Sequence, residues 1–223
     1  MGSRGQRSAS ASAGAKTAGG GSLTSEQEEA IDFYASGEGM FINNSLRGVN
    51  GIELTSDEMA QVHALDSVLT GNVGGTLYRS VDAEAIFGKM SQFDYANLLD
   101  EVVYSGFSGQ KGSYSQNMAK QINKTIDKAK GKTITDKGFV STTKSESIAN
   151  DWGDFTGSSK PVVMKITTGK STKGKDISKA TPRARQAEKS DPQKEVLLAR
   201  NQQYQVTNVY GKNGNIYVDV KMK

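Results

Sequence analysis

The order of the periodic segments constrains this chain more than any single residue does. Three helix-period stretches precede the first strand-like run, and Gly-containing breaks separate them. Ser25 and Glu28 have the spacing of a capping box, ahead of the apolar stripe Ala30, Ile31 and Tyr34. The break at Gly37–Gly39 leads to a second short helix, Met40 to Arg47. Thr55 and Glu58 repeat the capping-box spacing before Val62, Leu65 and Leu69, which read as core, and Gly71 to Gly75 end that helix. A helical lobe is therefore expected over about 23–72, with a strand-containing body from 76 to 223.

Within the body, Thr76-Leu77-Tyr78-Arg79 reads as a strand, and Ser91 caps a helix through Leu98, Leu99 and Val102. Residues 105–116 are rich in Gly and Ser and read as loop. Met118, Ile122 and Ile126 mark an amphipathic helix with a lysine-rich outer face. A strand follows Lys137-Gly138, then a short helix from Ser145 to Trp152, a polar loop over 154–159 and a strand at Val162–Ile166. Residues 167–192 are polar and basic with isolated apolar positions, a loop long enough to be functional or disordered. Glu195 to Leu198 is a strand, and the last two strands meet across Gly211-Lys212-Asn213-Gly214. This order permits an α+β arrangement. Residues 1–22, mostly Ser, Ala and Gly with a few basic positions, read as a flexible tail or linker.

With 223 residues the chain has the length of one domain with a tail, enough to bury a core. It has no cysteine and one histidine, His63. Disulfides, cysteine zinc sites, histidine metal clusters and a Ser–His dyad are excluded, and no metal is expected. The net charge of +4 reads as solvated lysines, or as weak attraction for an anionic ligand. The basic residues show no aromatic interleaving, so no nucleic-acid partner is expected. No run reaches transmembrane length and the start lacks an apolar secretion segment, so no membrane partner is expected either.

Asp191-Pro192-Gln193-Lys194-Glu195 leads into the apolar run Val196-Leu197-Leu198. In extended backbone Gln193 and Glu195 share a face, which puts an amide beside a carboxylate at a strand rim. Alone, this pattern is more often a solvated strand end than a reaction site. Two upstream stretches stand in a fixed order with it: Leu77-Tyr78-Arg79-Ser80, and Gly138-Phe139-Val140-Ser141-Thr142-Thr143. Asn43 and Arg47, four apart, share one face of the second helix; alone they read as an exposed polar face.

Together, the arginine strand, the Ser-Thr-Thr strand and Gln-x-Glu resemble the Arg–Ser–Glu class of mono-ADP-ribosyltransferases, in particular the bacterial and phage exoenzyme family. The resemblance covers about residues 23–223. It implies helices followed by a two-sheet β-sandwich with an NAD cleft between the sheets. It also implies transfer of ADP-ribose from NAD to a protein side chain, with release of nicotinamide. Ile42-Asn43-Asn44-Ser45-Leu46-Arg47 is similar to the family's Ile-Asn-x-x-Leu-Arg element, whose Asn and Arg line the NAD site. The resemblance gives Arg79 to the phosphates, and Ser141, with Thr143 in support, to the wall around the nicotinamide ribose. Phe139 reads as core, or as a residue near the nicotinamide, and Trp152 as a packing residue.

It gives Glu195 to the positive charge that builds on the ribose as the glycosidic bond breaks. A unit pair at about 4 Å and an effective dielectric near 20 contributes about 4 kcal/mol, roughly a thousandfold in rate. Relatives that modify arginine usually carry Glu where Gln193 stands. An amide is no general base, so an acceptor other than arginine, of the asparagine type, is expected. Two positions depart from relatives. Ser190 stands where Rho-modifying relatives have an aromatic residue, and Ser80 where Gly is frequent. The rival readings are an NAD glycohydrolase and a non-catalytic phage structural domain with the same fold. The flexible start suits a phage protein delivered with the virion, or a toxin domain cut from a larger polypeptide. Either would act on an unidentified acceptor protein in a target cell or in bacterial cytoplasm.

Overall fold

A computed structural model describes residues 22–155 and 158–223. The tail expected over 1–22 falls almost wholly outside the described residues, as do 156–157 of the loop expected over 154–159. The helical lobe comes first. Helix α1 spans Ser25–Phe33 and is capped by Thr24, whose hydroxyl accepts the Gln27 N–H while the Gln27 side chain accepts the Thr24 N–H. The box thus lies one residue before the expected Ser25–Glu28 pair. Thr24 has extended backbone, φ −76° and ψ 163°, and Ser25 already belongs to the helix.

A π-helical turn, Tyr34–Glu38, kinks the chain at Gly37, where φ is 103°. Helix α2, Gly39–Arg47, then runs under Tyr34. A Cβ at Gly39 would stand 2.7 Å from the Tyr34 carbonyl oxygen, so the close approach requires glycine. Helix α3, Ser56–Val68, carries the expected Thr55–Glu58 box. His63 on this helix is exposed.

The body follows as β1 (Thr76–Asp82), α4 (Glu84–Phe87), α5 (Gln92–Tyr104), α6 (Ser113–Ala129), β2 (Thr133–Asp136), β3 (Val140–Thr143), α7 (Glu146–Phe155), β4 (Pro161–Thr167), β5 (Gly174–Asp176), α8 (Pro182–Ser190), β6 (Glu195–Leu198), β7 (Gln202–Lys212) and β8 (Asn215–Met222). The region expected to be a single loop over 167–192 contains β5 and α8. Strand β5 pairs with β6, and α8 starts on the Thr181 cap with Pro182 in its first turn. Helix α8 buries no residue, so it leaves no apolar stripe in the sequence. Helix α6 takes the last part of the expected 105–116 loop, and β2 is an edge strand too short to show alternation. Strands β7 and β8 extend into the expected four-residue turn and leave Asn213-Gly214, both at positive φ, as a two-residue hairpin.

The fold is α+β, with helices first. The sheet corrects the two-sheet expectation: its eight strands form one hydrogen-bonded order, β2-β7-β8-β4-β1-β3-β6-β5. The join between β1 and β3 is a single pair, Tyr78↔Thr143, while β1 pairs with β4 along its whole length. One shared pair keeps the sheet continuous, and the two strands diverge on either side of it. Side-chain alternation on β3 and β6 serves two cores. Val140, Val196 and Leu198 enter the larger core under α5 and α6. Phe139 and Leu197 enter the core of the helical lobe, with Ile31, Tyr34, Ile42 and Leu65. Among the described residues no helix is long and apolar enough to cross a membrane.

Candidate active site

Glu195 opens β6 opposite Thr143 of β3, and Ser141 lies opposite Leu197. In that register Ser141, Thr143 and Glu195 share the sheet face that Phe139 and Leu197 press against the helical lobe. The lobe meets this face with Tyr34, whose hydroxyl lies 3.0 Å from Ser141 Oγ. Asn43 Nδ2 donates to the same hydroxyl at 2.8 Å. Tyr34 is thereby free to donate to Ser141, and Ser141 to Glu195, so a line of neutral donors ends on the carboxylate. Burial pushes the Glu195 carboxyl above the usual carboxylate range; the Ser141 hydroxyl opposes this, and the nearby charge of Glu188 adds to it.

The structure places Asn43 behind this wall and not on the cleft. It is buried, and its Oδ1 accepts the Phe139 N–H at 2.8 Å. Gly138 is the glycine this contact requires, because a Cβ there would stand 2.6 Å from Asn43 Oδ1.

Gln193 does not share a strand face with Glu195. Lys194 between them has φ 49°, which breaks the alternation, and β6 begins only at Glu195. Gln193 is fixed by three other groups. Trp152 Nε1 donates to its Oε1 at 2.7 Å, its own N–H donates to Glu188 Oε2 at 2.9 Å, and Thr143 Oγ1 donates to its carbonyl at 2.8 Å. Trp152, expected as a packing residue, is thus a polar partner of Gln193. Thr143 and Ser141 sit on one strand and serve neighbouring groups.

The arginines gather at a cleft of about 690 Å³ lined by Arg47, Arg79, Asp136, Lys137, Tyr204 and Asn44, among others. Arg47 grips Asp136 with two bonds, Nε to Oδ1 at 2.8 Å and Nη2 to Oδ2 at 3.0 Å. Arg79 Nη1 lies 3.7 Å from the same carboxylate. That nitrogen is buried and has no hydrogen-bond partner among the described residues. Burial works to lower the Arg47 guanidinium, but its bonds to Asp136 outweigh it and the group is raised. Asp136 escapes the sequence pattern. Its one local signal is its place two residues before Gly138, whose N–H it accepts at 3.0 Å in a tight turn.

Glu195, Ser141, Thr143 and Gln193 do not line this cleft. The two groups meet around Tyr34, whose hydroxyl feels both Glu195 and Arg79; burial pushes it above the ordinary phenol range. One end therefore offers cationic donors with an unused N–H, suited to phosphate oxygens. The other offers a half-buried carboxylate beside the Ser141 hydroxyl. Among the described residues no group of three or more His, Asp or Glu side chains is placed to hold a metal ion.

A family model described as ADP-ribosyltransferase exoenzyme matches residues 12–222. No curated protein matches the chain. Several solved structures share the fold. An ADP-ribosyltransferase from Clostridium botulinum is 24% identical, with 90% of this chain and 87% of that one covered and a TM-score of 0.58. The C3 exoenzyme of Clostridium limosum is 19% identical over 90% and 86% of the two chains, with a TM-score of 0.60. A protein from S. aureus, solved with NAD, is 21% identical over 90% and 87%, with a TM-score of 0.60. The Vis ADP-ribosyltransferase of Vibrio splendidus, solved with agmatine, is 15% identical over 90% and 75%, with a TM-score of 0.55.

Proposed function

This chain belongs to the ADP-ribosyltransferase exoenzyme family and is an NAD-dependent ADP-ribosyltransferase, and we propose how the two ends of its site divide the reaction. NAD lies along the cleft with its two phosphates on Arg79 and Arg47. The nicotinamide ribose reaches Ser141 and Glu195. The C1′–nitrogen bond breaks and its electron pair leaves with nicotinamide. Glu195 opposes the positive charge left on the ribose, a charge present in the transition state and absent from the ground state. A protein side chain presented beside Gln193 then forms the new bond at C1′ and loses a proton to solvent. Residues 23–223 act as the catalytic domain, and residues 1–22 as a tail or linker.

The acceptor is a side chain other than arginine, with an asparagine-type amide favoured. A guanidinium stays protonated at working pH and needs a base to become a nucleophile, and Gln193 cannot be one. The S. aureus relative was solved with NAD, which supports NAD as the donor here.

The observation that carries this reading is the separation of charge. An unpartnered, buried arginine nitrogen stands at one end, and a raised, hydroxyl-bound carboxylate at the other. The test is incubation with labelled NAD in a bacterial lysate and in a eukaryotic lysate, wild type beside Glu195→Ala. Label on discrete proteins, lost in the variant, is the expected result and tells which kind of cell holds the target. Nicotinamide release with free ADP-ribose and no labelled protein would make the chain a hydrolase instead. Absence of any turnover would leave a non-catalytic domain.

A further inference from the structure

The Gln193 side chain has a fixed polarity, and Trp152 fixes it. An indole N–H can only donate, so the atom 2.7 Å from Trp152 Nε1 has to be the amide oxygen. Turning the amide over would set its NH2 against the indole N–H, donor facing donor. The rest of the residue is held as well, by Glu188 at its N–H and by Thr143 at its carbonyl. Trp152 belongs to a helix that is itself anchored. Helix α7 packs Ala149 against Tyr78, Val163 and Tyr217, and the Tyr217 hydroxyl bonds Glu146 at 2.9 Å and Asn150 at 3.0 Å. Among the described residues nothing accepts from Gln193 Nε2. The half-buried amide therefore has its oxygen directed at the indole and its NH2 left unpaired among the described residues.

We infer that Trp152 is a specificity-determining residue that acts through Gln193: it turns an N–H donor toward the acceptor and so selects side chains that carry an oxygen. The inference rests on Gln193 facing the acceptor, as proposed above. Gln193 supplies no base, which disfavours arginine, but a free amide could still turn its oxygen outward and hold a guanidinium. A guanidinium has five N–H donors and no acceptor, and against an amide that turns its NH2 outward it sets donor against donor. Leaving one such group unpaired costs about 1–3 kcal/mol, which is roughly ten- to a hundredfold in rate. An amide or carboxylate acceptor meets the same N–H with an oxygen.

The test uses agmatine, a guanidine with no oxygen, as the probe. Nicotinamide release and ADP-ribosyl-agmatine formation from NAD are measured for wild type, Trp152→Phe and Gln193→Glu, and the ratio of agmatine product to free ADP-ribose is compared. Trp152→Phe keeps an aromatic ring, removes the N–H and frees the amide; the ratio is expected to rise about tenfold. Gln193→Glu keeps Trp152 and supplies a second oxygen, and its ratio is expected to rise at least as much. A Trp152→Phe ratio within about twofold of wild type would overturn the inference, as would wild type forming agmatine product as fast as free ADP-ribose. If Trp152→Phe loses nicotinamide release, Trp152→Leu, which also lacks the N–H, takes its place. Loss of nicotinamide release in all three proteins would instead defeat the catalytic reading on which the inference depends.

Discussion

The two ends of the site hold charge in opposite ways. At the arginine end, opposite charges already touch: Arg47 and Asp136 share two bonds, with Arg79 beside them. At the glutamate end, the carboxylate bonds a neutral hydroxyl, Ser141 backed by Tyr34 and Asn43, and the charge that reaches it, from Glu188, has its own sign. The difference matches the ligand charges that the proposed reaction brings. Phosphates are charged before, during and after the reaction, so the cations that meet them strengthen ground state and transition state alike. The ribose charge appears only as the bond breaks, so a group that opposes it acts on turnover. A cation placed beside Glu195 would cancel its field, whereas a hydroxyl positions it and leaves its charge available.

Glu195→Gln gives the largest expected effect, a loss of about a thousandfold in kcat with the KM for NAD little changed. Equal losses in affinity and turnover would merge the two ends into one binding surface. Arg79→Ala comes next, with kcat/KM down by about ten- to a hundredfold, carried mostly by KM, the scale of a lost charge-assisted bond to a phosphate. Asp136→Asn separates two roles at the arginine end. It removes a counter-charge, which alone would tighten phosphate binding, but it also releases the two-bond grip on Arg47. Geometry is expected to win, with the KM for NAD raised about three- to tenfold and kcat steady. A lowered KM would show instead that Asp136 competes with the phosphates.

The smallest effect is expected from Tyr34→Phe, a few-fold in kcat. Its clearer signature is in pH. Glu195 acts ionised and its carboxyl is raised by burial, so activity is lost as pH falls through a value above the usual carboxylate range. Without the Tyr34 hydroxyl, Ser141 donates less strongly to Glu195, and the acid limb of the kcat profile should move to higher pH. The same raised carboxyl has a sign for stability. A group whose proton is held more tightly when folded favours the fold below its unfolded pKa and loses that contribution as pH rises through the folded value. Glu195→Gln should therefore be more resistant to urea than wild type at neutral pH, with the gain shrinking toward acid pH.

Much of this was legible in the chain because local chemistry set it. The Thr55–Glu58 box, the amphipathic stripe of α6, the apolar run of β6 and the Asn213-Gly214 turn each follow from neighbours a few residues apart. Elements without a stripe escaped: α8 has no buried face, and β2 is a four-residue edge. Lys194 shows how one residue at positive φ defeats a face assignment built on alternation.

The helices-first order, the three motif stretches and the residue types they bring were set by the amino-acid sequence, because period, caps and turns are properties of short segments. Which of those side chains meet was settled by tertiary packing. Asn43 turned inward to hold Tyr34 and Phe139, Asp136 entered between two arginines from distant elements, and Trp152 took the oxygen of Gln193 across 41 residues of chain. These contacts depend on sheet register and on the packing of the helical lobe against β3 and β6, and neither is encoded by residues adjacent in the chain.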